Sequence, residues 1–152
     1  MKWRNRDLAQ YVKAKEYIDT AMIPLIPFQL VNDQGMETDS FQSEVLSLLS
    51  NEMEKELSGR ILLTPNYNYI RAANMEMEKD RLNMWVKDIQ KQPFKHIFFL
   101  AFDSKWKKME KELDGTLIWL PGVQTGELQS KEMQQMLRDQ VSQIGELIRS
   151  YW

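Results

Sequence analysis

The chain has 152 residues, of which 43% are hydrophobic and 28% are charged, a balance typical of folded globular proteins and not of disordered ones. Its 20 basic and 22 acidic side chains leave a formal net charge of -2, so no overall positive field attracts nucleic acid. With no cysteine and one histidine, the composition excludes disulfides, thiolate nucleophiles, iron-sulfur clusters and metal sites built from several imidazoles. We therefore expect no metal and no cofactor.

The sequence predicts a cytoplasmic protein without a transmembrane segment. No apolar run reaches the ~18 residues of a membrane span, and residues 1–6 lead into an amphipathic stretch instead of a signal-peptide core. Weak contact with a membrane surface stays open, because Trp3 and Trp152 have the amphipathic character of interfacial anchors.

The first third of the chain predicts a helix, a strand and a second helix. The apolar spacing favours a helix over residues 6–17. A strand follows from Thr20 and is expected to end near Pro24 or Pro27, because proline cannot donate to a ladder. Residues 29–38 are predicted to form a loop.

Asp39 is the predicted start of the second helix, which runs to about Leu57, with Gly59 ending it in a left-handed conformation. The remaining predicted elements follow in chain order: a strand over 60–64, a polar loop over 66–69, a helix over 76–90, a strand over 96–102, a helix over 104–113, a strand over 116–120, and a last helix from Ser130.

Strands that alternate with helical crossovers predict an α/β fold. We expect one three-layer domain over residues 1–152, with a mostly parallel four-stranded sheet and helices on both faces. The most apolar strand, residues 96–102, is placed inside the sheet, which gives the strand order 2-1-3-4.

Several segments resemble the YpiF-like family, an uncharacterised family of Bacillus-type Gram-positive bacteria. They are Lys2-Trp3, residues 17–21 (YIDTA), residues 23–25 (IPL) and residues 118–122 (IWLPG). The resemblance spans nearly the whole chain and implies a bacterial cytoplasmic protein. It implies no activity and no catalytic residue.

The phosphate-binding and hydrolase motifs of α/β proteins are missing from the sequence. It contains no GxGxxG, no GxxxxGK[ST] and no GxSxG, and the loop after the first strand holds only Gly35. We therefore assign no catalytic residue and expect no nucleotide-binding enzyme of standard design.

Asp103 is the best single site candidate, because open α/β sheets bind ligands at the carboxyl edge of the strands. The predicted strand order brings further ligand-binding candidates to this edge: Asn32, Asp33, Thr64, Asn66, Ser104 and Lys105. The alternative is that Asp103 only caps the helix that follows it. A cap needs an acceptor oxygen and no charge, so it predicts that Asp103→Asn leaves stability nearly unchanged.

Two functions therefore stay open for this sequence. The first is a non-catalytic protein-interaction or regulatory module, whose partner is another protein. The second is an enzyme or small-ligand-binding protein that uses the crevice at the carboxyl ends of the strands. A deep polar pocket at Asp103 would favour the second, whereas an apolar patch on a terminal helix would favour the first.

Overall fold

The computed structural model describes residues 1–123 and 126–152, and its five strands all pair in parallel. The strands are β1 (Thr20–Phe28), β2 (Ile61–Leu63), β3 (Tyr67–Ile70), β4 (His96–Ala101) and β5 (Thr116–Trp119). The α-helices are α1 (Asn5–Lys13), α2 (Asp33–Glu56), α3 (Met75–Ile89), α4 (Lys105–Met109) and α5 (Lys131–Arg149).

The sheet has the order β2-β1-β4-β5, and β3 pairs with β1 beyond the end of β2. This confirms the predicted α/β class and the predicted order of the four strands. The fifth strand was not predicted, because residues 66–69 were assigned to a loop. Their alternation of buried tyrosines with exposed neighbours is that of a strand with one face in the core.

β1 continues through Pro24 and Pro27 to Phe28, so the prediction that it ends at one of these prolines is wrong. Alternate residues of a parallel strand bond to opposite neighbours. The Pro24 nitrogen therefore faces a gap, because β2 pairs with β1 only up to Met22 and β3 only from Leu25. The Pro27 nitrogen faces the β4 side, where pairing ends at Leu25. Neither proline removes a ladder bond.

The predicted loop over residues 29–38 is also wrong, since α2 begins at Asp33. Its cap is Asn32, whose side-chain oxygen accepts from the Gly35 amide at 2.6 Å. Asp39 therefore lies inside the helix. The predicted end of the helix is confirmed, because Gly59 has a φ of +90°.

Neighbouring residues of β1 point into two different core clusters, so helices cover both faces of the sheet. Met22 packs in a cluster with α2 and α5, and Ile23 packs in a cluster with α3 and α4. A smaller cluster joins Tyr11 of α1, Ile18 and Leu62. The two faces together bury the apolar surface that stabilises the fold.

We expect Ile148→Ala to lower the free energy of unfolding by about 2–5 kcal/mol, because this side chain of α5 is fully enclosed in the core. Leu147→Ala is the matched control, since Leu147 is 44% exposed on the same helix, and it should change stability by about 0.5 kcal/mol or less. Urea unfolding of both variants measures the difference. Equal losses would show that α5 does not pack as described.

A polar network at the amino edge of the sheet ties the last residue to β1. Trp152 Nε1 donates to Thr20 Oγ1 at 2.9 Å, and the Arg60 guanidinium lies 4.0 Å from the centre of the Trp152 ring. Arg60 also donates twice to Asp19, at 3.0 Å each. These hydrogen bonds from Arg60 hold the pKa of the Asp19 carboxyl below its usual value.

Asp19→Asn should make the chain less stable at neutral pH and less sensitive to acid. A carboxyl whose pKa is lowered by folding contributes stability above its unfolded pKa of about 3.9. That contribution is lost as the pH falls through the lower pKa of the folded state. Unfolding curves between neutral pH and strong acid measure it, with Asp114→Asn as the control at an exposed aspartate. Identical acid dependence in wild type and Asp19→Asn would contradict the ion pair.

Candidate functional site

Asp103 follows β4 at the carboxyl edge and lies inside a network of hydrogen bonds. Its Oδ2 accepts from the Tyr69 hydroxyl at 2.7 Å, and its Oδ1 accepts from the Lys105 amide at 3.0 Å. The Tyr69 oxygen in turn accepts from Trp106 Nε1 at 2.8 Å. Both carboxylate oxygens and the tyrosine hydroxyl are thus engaged by protein groups.

Arg71 brings positive charge to this network. Its Nε and Nη2 donate to the two oxygens of Asp39, each at 2.8 Å, and its Nη1 lies 3.9 Å from Asp103 Oδ2. Lys105 Nζ donates to the Arg71 carbonyl at 2.7 Å. The arrangement joins α2, the end of β3 and the start of α4.

Burial raises the pKa of Tyr69 far above its usual value, and the adjacent Asp103 carboxylate raises it further. Hydrogen bonds to Asp39 raise the pKa of Arg71. A tyrosine that stays protonated can donate a hydrogen bond but cannot act as a base. The network is therefore suited to holding these elements together.

The crevice at this edge is closed. The cavity beside Asp103, Arg71 and Asp39 has a volume of about 10 Å³ and is otherwise lined mainly by apolar side chains of β1 and α2. A site of this size holds about one water molecule. Small-molecule sites are typically about 300–1,000 Å³.

The structure brings together only part of the predicted ligand-binding set. Asp103, Ser104 and Lys105 are consecutive at the start of α4. Asn32 caps α2, and the Thr64 hydroxyl bonds to the carbonyls of Met22 and Pro65. Within the described part of the chain, no hydrogen bond or ion pair joins the remaining candidates to Asp103; these are Asn32, Asp33, Thr64 and Asn66.

β3 explains why Thr64 and Asn66 do not reach the crevice. β3 continues along the same side of β1 where β2 ends, so the chain arrives at the carboxyl edge of the sheet only at Ile70. Tyr69 and Arg71 therefore lie against Asp103, and sequence reasoning missed both. The signal was present in the period-two alternation of Tyr67, Asn68, Tyr69 and Ile70.

A much larger cavity than the one at Asp103 lies in a groove between α2 and α5, with a volume of about 830 Å³. Its apolar lining residues are Leu48, Leu128, Leu137 and Val141. Its polar lining residues are Glu52, Lys55, Glu56, Gln129, Gln134, Arg138 and Ser142. We call this feature the α2/α5 groove.

Across residues 1–123 and 126–152, no group of three or more histidine or acidic side chains is placed to hold a metal ion. Among the helices described, none combines the length and the apolar character needed to cross a membrane.

Asp103→Asn should lower the free energy of unfolding by about 1–3 kcal/mol, in contrast to the small effect that a simple cap predicts. The Lys105 amide and the Tyr69 hydroxyl donate to different oxygens of Asp103, and an amide keeps an acceptor at only one of these two positions. In a Tyr69→Phe background the same substitution should cost less, with a coupling energy of about 0.5–3 kcal/mol.

Chemical unfolding of the two single variants and the double variant measures this coupling. Ser104→Ala is the control, because the Ser104 side chain is exposed and makes no capping hydrogen bond. Additive effects of Asp103→Asn and Tyr69→Phe would contradict the network.

Comparison with known proteins places the chain in a family. The model of the family described as "Protein of unknown function (DUF2487)" matches residues 9–152. The chain is also 29% identical to "Uncharacterized protein YpiF" of Bacillus subtilis (strain 168), over all of this chain and 98% of that protein. No solved structure matches the chain significantly. The chain therefore belongs to the DUF2487 family, which confirms the resemblance seen in its sequence.

Proposed function

We propose that this chain is a non-catalytic protein-interaction module that binds its partner in the α2/α5 groove. The observation that carries the proposal is the contrast between two cavities. The groove has a volume of about 830 Å³, whereas the cavity at Asp103 has about 10 Å³. The bacterial cytoplasm remains the location that the sequence predicts for this module.

The walls of the groove favour a helical partner. Both walls are regular helices, over residues 48–56 of α2 and 134–142 of α5. Helix backbones satisfy their own hydrogen bonds, so these walls offer no main-chain groups to an extended peptide. An amphipathic helix satisfies its own backbone and can lay its apolar face on the groove floor.

The length of the groove fits a short helix. Each wall spans nine residues, which corresponds to ~13 Å at the rise of an α-helix. That length accommodates ~2.5 turns of a partner helix, or apolar side chains at positions i, i+4 and i+7.

The charges at the rim indicate an acidic group on the partner. Glu52 pairs with Lys55 at 2.9 Å, and Glu56 pairs with Arg149 at 2.8 Å. Arg138 donates only to the neutral Gln135, at 3.2 Å, and joins no ion pair in the described residues. A carboxylate on the partner helix would neutralise the charge of Arg138. Such a pair fixes the orientation of the partner helix more than it raises the affinity.

The second function, ligand binding or catalysis at the carboxyl edge, has less support. It would use Asp103, Ser104 and Lys105 together with the candidates that lie apart from them. The donors and acceptors of Asp103 and Tyr69 are already satisfied within the chain. A ligand would have to displace these groups before it could bind.

Affinity capture at endogenous expression level from the native cell tests the proposal. Leu48→Lys places a charge in the groove at a residue that is already 38% exposed, so the fold should tolerate it. Leu147→Lys is the matched control, at a residue that is 44% exposed on α5 outside the groove. We expect wild type and Leu147→Lys to retain the same partner, and Leu48→Lys and Arg138→Glu to lose it.

Two results would contradict the proposal. A partner retained equally by Leu48→Lys and Arg138→Glu would place the interface elsewhere. Native mass spectrometry that finds a small molecule on the wild type and none on Leu48→Lys would make the groove a ligand site instead of a docking surface.

A further inference from the structure

The sheet edge formed by β2 and β3 is covered over only half of its length. Along β2, the Met1 amino group donates to the Ile61 carbonyl at 2.8 Å, and the Leu63 amide donates to the Met1 carbonyl at 2.7 Å. Along β3, the Arg71 amide donates to Phe28 of β1 at 2.9 Å. By the alternation of a parallel ladder, the backbone groups of Asn68 and Ile70 point away from β1.

Three of these four outward groups lack partners of the kind that Met1 provides to β2. Among the described hydrogen bonds outside the ladders, the Ile70 carbonyl accepts from the Ala73 amide at 2.9 Å, while the Asn68 backbone groups and the Ile70 amide have none. Folded proteins commonly protect such edges with charged side chains, proline or a bulge. The sequence Tyr-Asn-Tyr-Ile of β3 contains no charge and no proline.

Exposed apolar side chains surround this edge. Ile70 is opposite Phe28 in the ladder, and both side chains are exposed. Leu30 and Val31 follow in the loop to α2, where they are 80% and 81% exposed. The Gln29 side chain accepts from the Val31 amide at 3.0 Å, so the loop that presents them is held in place. Clusters of this kind typically mark interaction surfaces.

We propose that the β3 edge is a homodimer interface, in which β3 of one copy pairs antiparallel with β3 of a second copy. A two-fold axis at Tyr69 puts Asn68 of each copy opposite Ile70 of the other. These are the two residues whose backbone groups point outward, so one symmetric register uses both. Each Asn68–Ile70 pair then exchanges two hydrogen bonds, as in an antiparallel ladder. In one of them the Ile70 carbonyl, which already accepts from the Ala73 amide, accepts from Asn68 of the other copy with its second lone pair.

The flanks of the edge are complementary in this arrangement. Beyond Ile70, the chain of each copy turns away from the edge. It therefore does not compete with Met1 and Lys2 of the other copy, which pair there with Leu63 of their own chain. The loop carrying Leu30 and Val31 in one copy then runs toward the amino-terminal segment of the other, where Trp3 is 65% exposed.

Charge supports the same orientation. Asp33 at the start of α2 and Lys2 beside β2 form no side-chain ion pair within the described residues. The two-fold arrangement brings the acidic start of α2 in one copy toward the basic amino-terminal segment of the other. Opposite charges across an interface favour association and fix its register.

Sedimentation equilibrium of the purified full chain over a wide concentration range tests the proposal. We expect a reversible transition from the 18.1 kDa monomer to twice that mass. In parallel, hydrogen exchange at the Asn68 and Ile70 amides should slow as the protein concentration rises. A wild-type chain that remains monomeric up to millimolar concentration would overturn the proposal.

Substitutions locate the interface. Asn68→Pro removes an outward amide and leaves the ladder with β1 intact, whereas Asn68→Thr keeps the amide and is its control. Ile70→Lys adds a charge at the edge, and Met84→Lys adds one at an exposed methionine of α3. We expect Asn68→Pro and Ile70→Lys to lose the dimer and the two controls to keep it.

A dimer that survives Asn68→Pro and Ile70→Lys would overturn the proposal. Circular dichroism and melting curves establish that each variant is folded. If both edge variants unfold, hydrogen exchange of the wild type tests the interface instead. Should the Asn68 and Ile70 amides exchange as fast in the dimer as in the monomer, the interface lies elsewhere.

Discussion

β1 is the strand on which the rest of the sheet depends, because it pairs with β2, β3 and β4. It occupies this central position although it contains two prolines, which cannot donate to a ladder. Pro24 is accommodated where β2 ends and β3 begins, and Pro27 where β4 has ended. The interruption between β2 and β3 is thus matched to a missing amide in their shared neighbour.

This interruption determines what lies at the carboxyl edge. Because β3 continues beside β1 past the gap, Tyr69 and Arg71 arrive next to Asp103, and Asp39 of α2 reaches Arg71. The position at which open α/β sheets commonly bind ligands is here occupied by the chain's own side chains. Buried polar groups that are fully satisfied in this way specify one packing of the elements around them.

The sequence predicted the α/β class and the strand order, because long apolar runs and amphipathic helices have distinct periods. It could not place the carboxyl end of β1. A proline interrupts a strand only where the neighbouring strand would accept a hydrogen bond from the backbone N–H that proline lacks, and the sequence does not show where the neighbouring strands begin and end. It also missed Asn32 as the cap of α2, because Asp39 presents the same chemistry seven residues later. The local sequence does not show which of two possible capping residues lies at the point where the helix begins in the folded chain.

The same limit applies to the candidate site. Asp103 was identified from its position after the most apolar strand, and the structure places it at the carboxyl edge. Its partner Tyr69 is distant in sequence, and Tyr69 and Trp106, which donates to the Tyr69 hydroxyl, each have only one polar side-chain atom. Such contacts can be recognised only after the strands have been assembled, whereas the apolar stripe of α5 is visible in the sequence itself.

α2 connects the two surfaces to which we assign interactions. Its first turn follows the exposed loop of Leu30 and Val31, and residues 48–56 form one wall of the α2/α5 groove. A helix of 24 residues is ~36 Å long, so the loop of Leu30 and Val31 and the groove lie toward opposite ends of one rigid element. The residues that line the groove include none of β3 and none of this loop, so pairing at β3 would leave both grooves of a dimer accessible. Two identical grooves on one particle would bind a partner that carries two copies of its helix more tightly than either groove alone, because the second binding event becomes intramolecular.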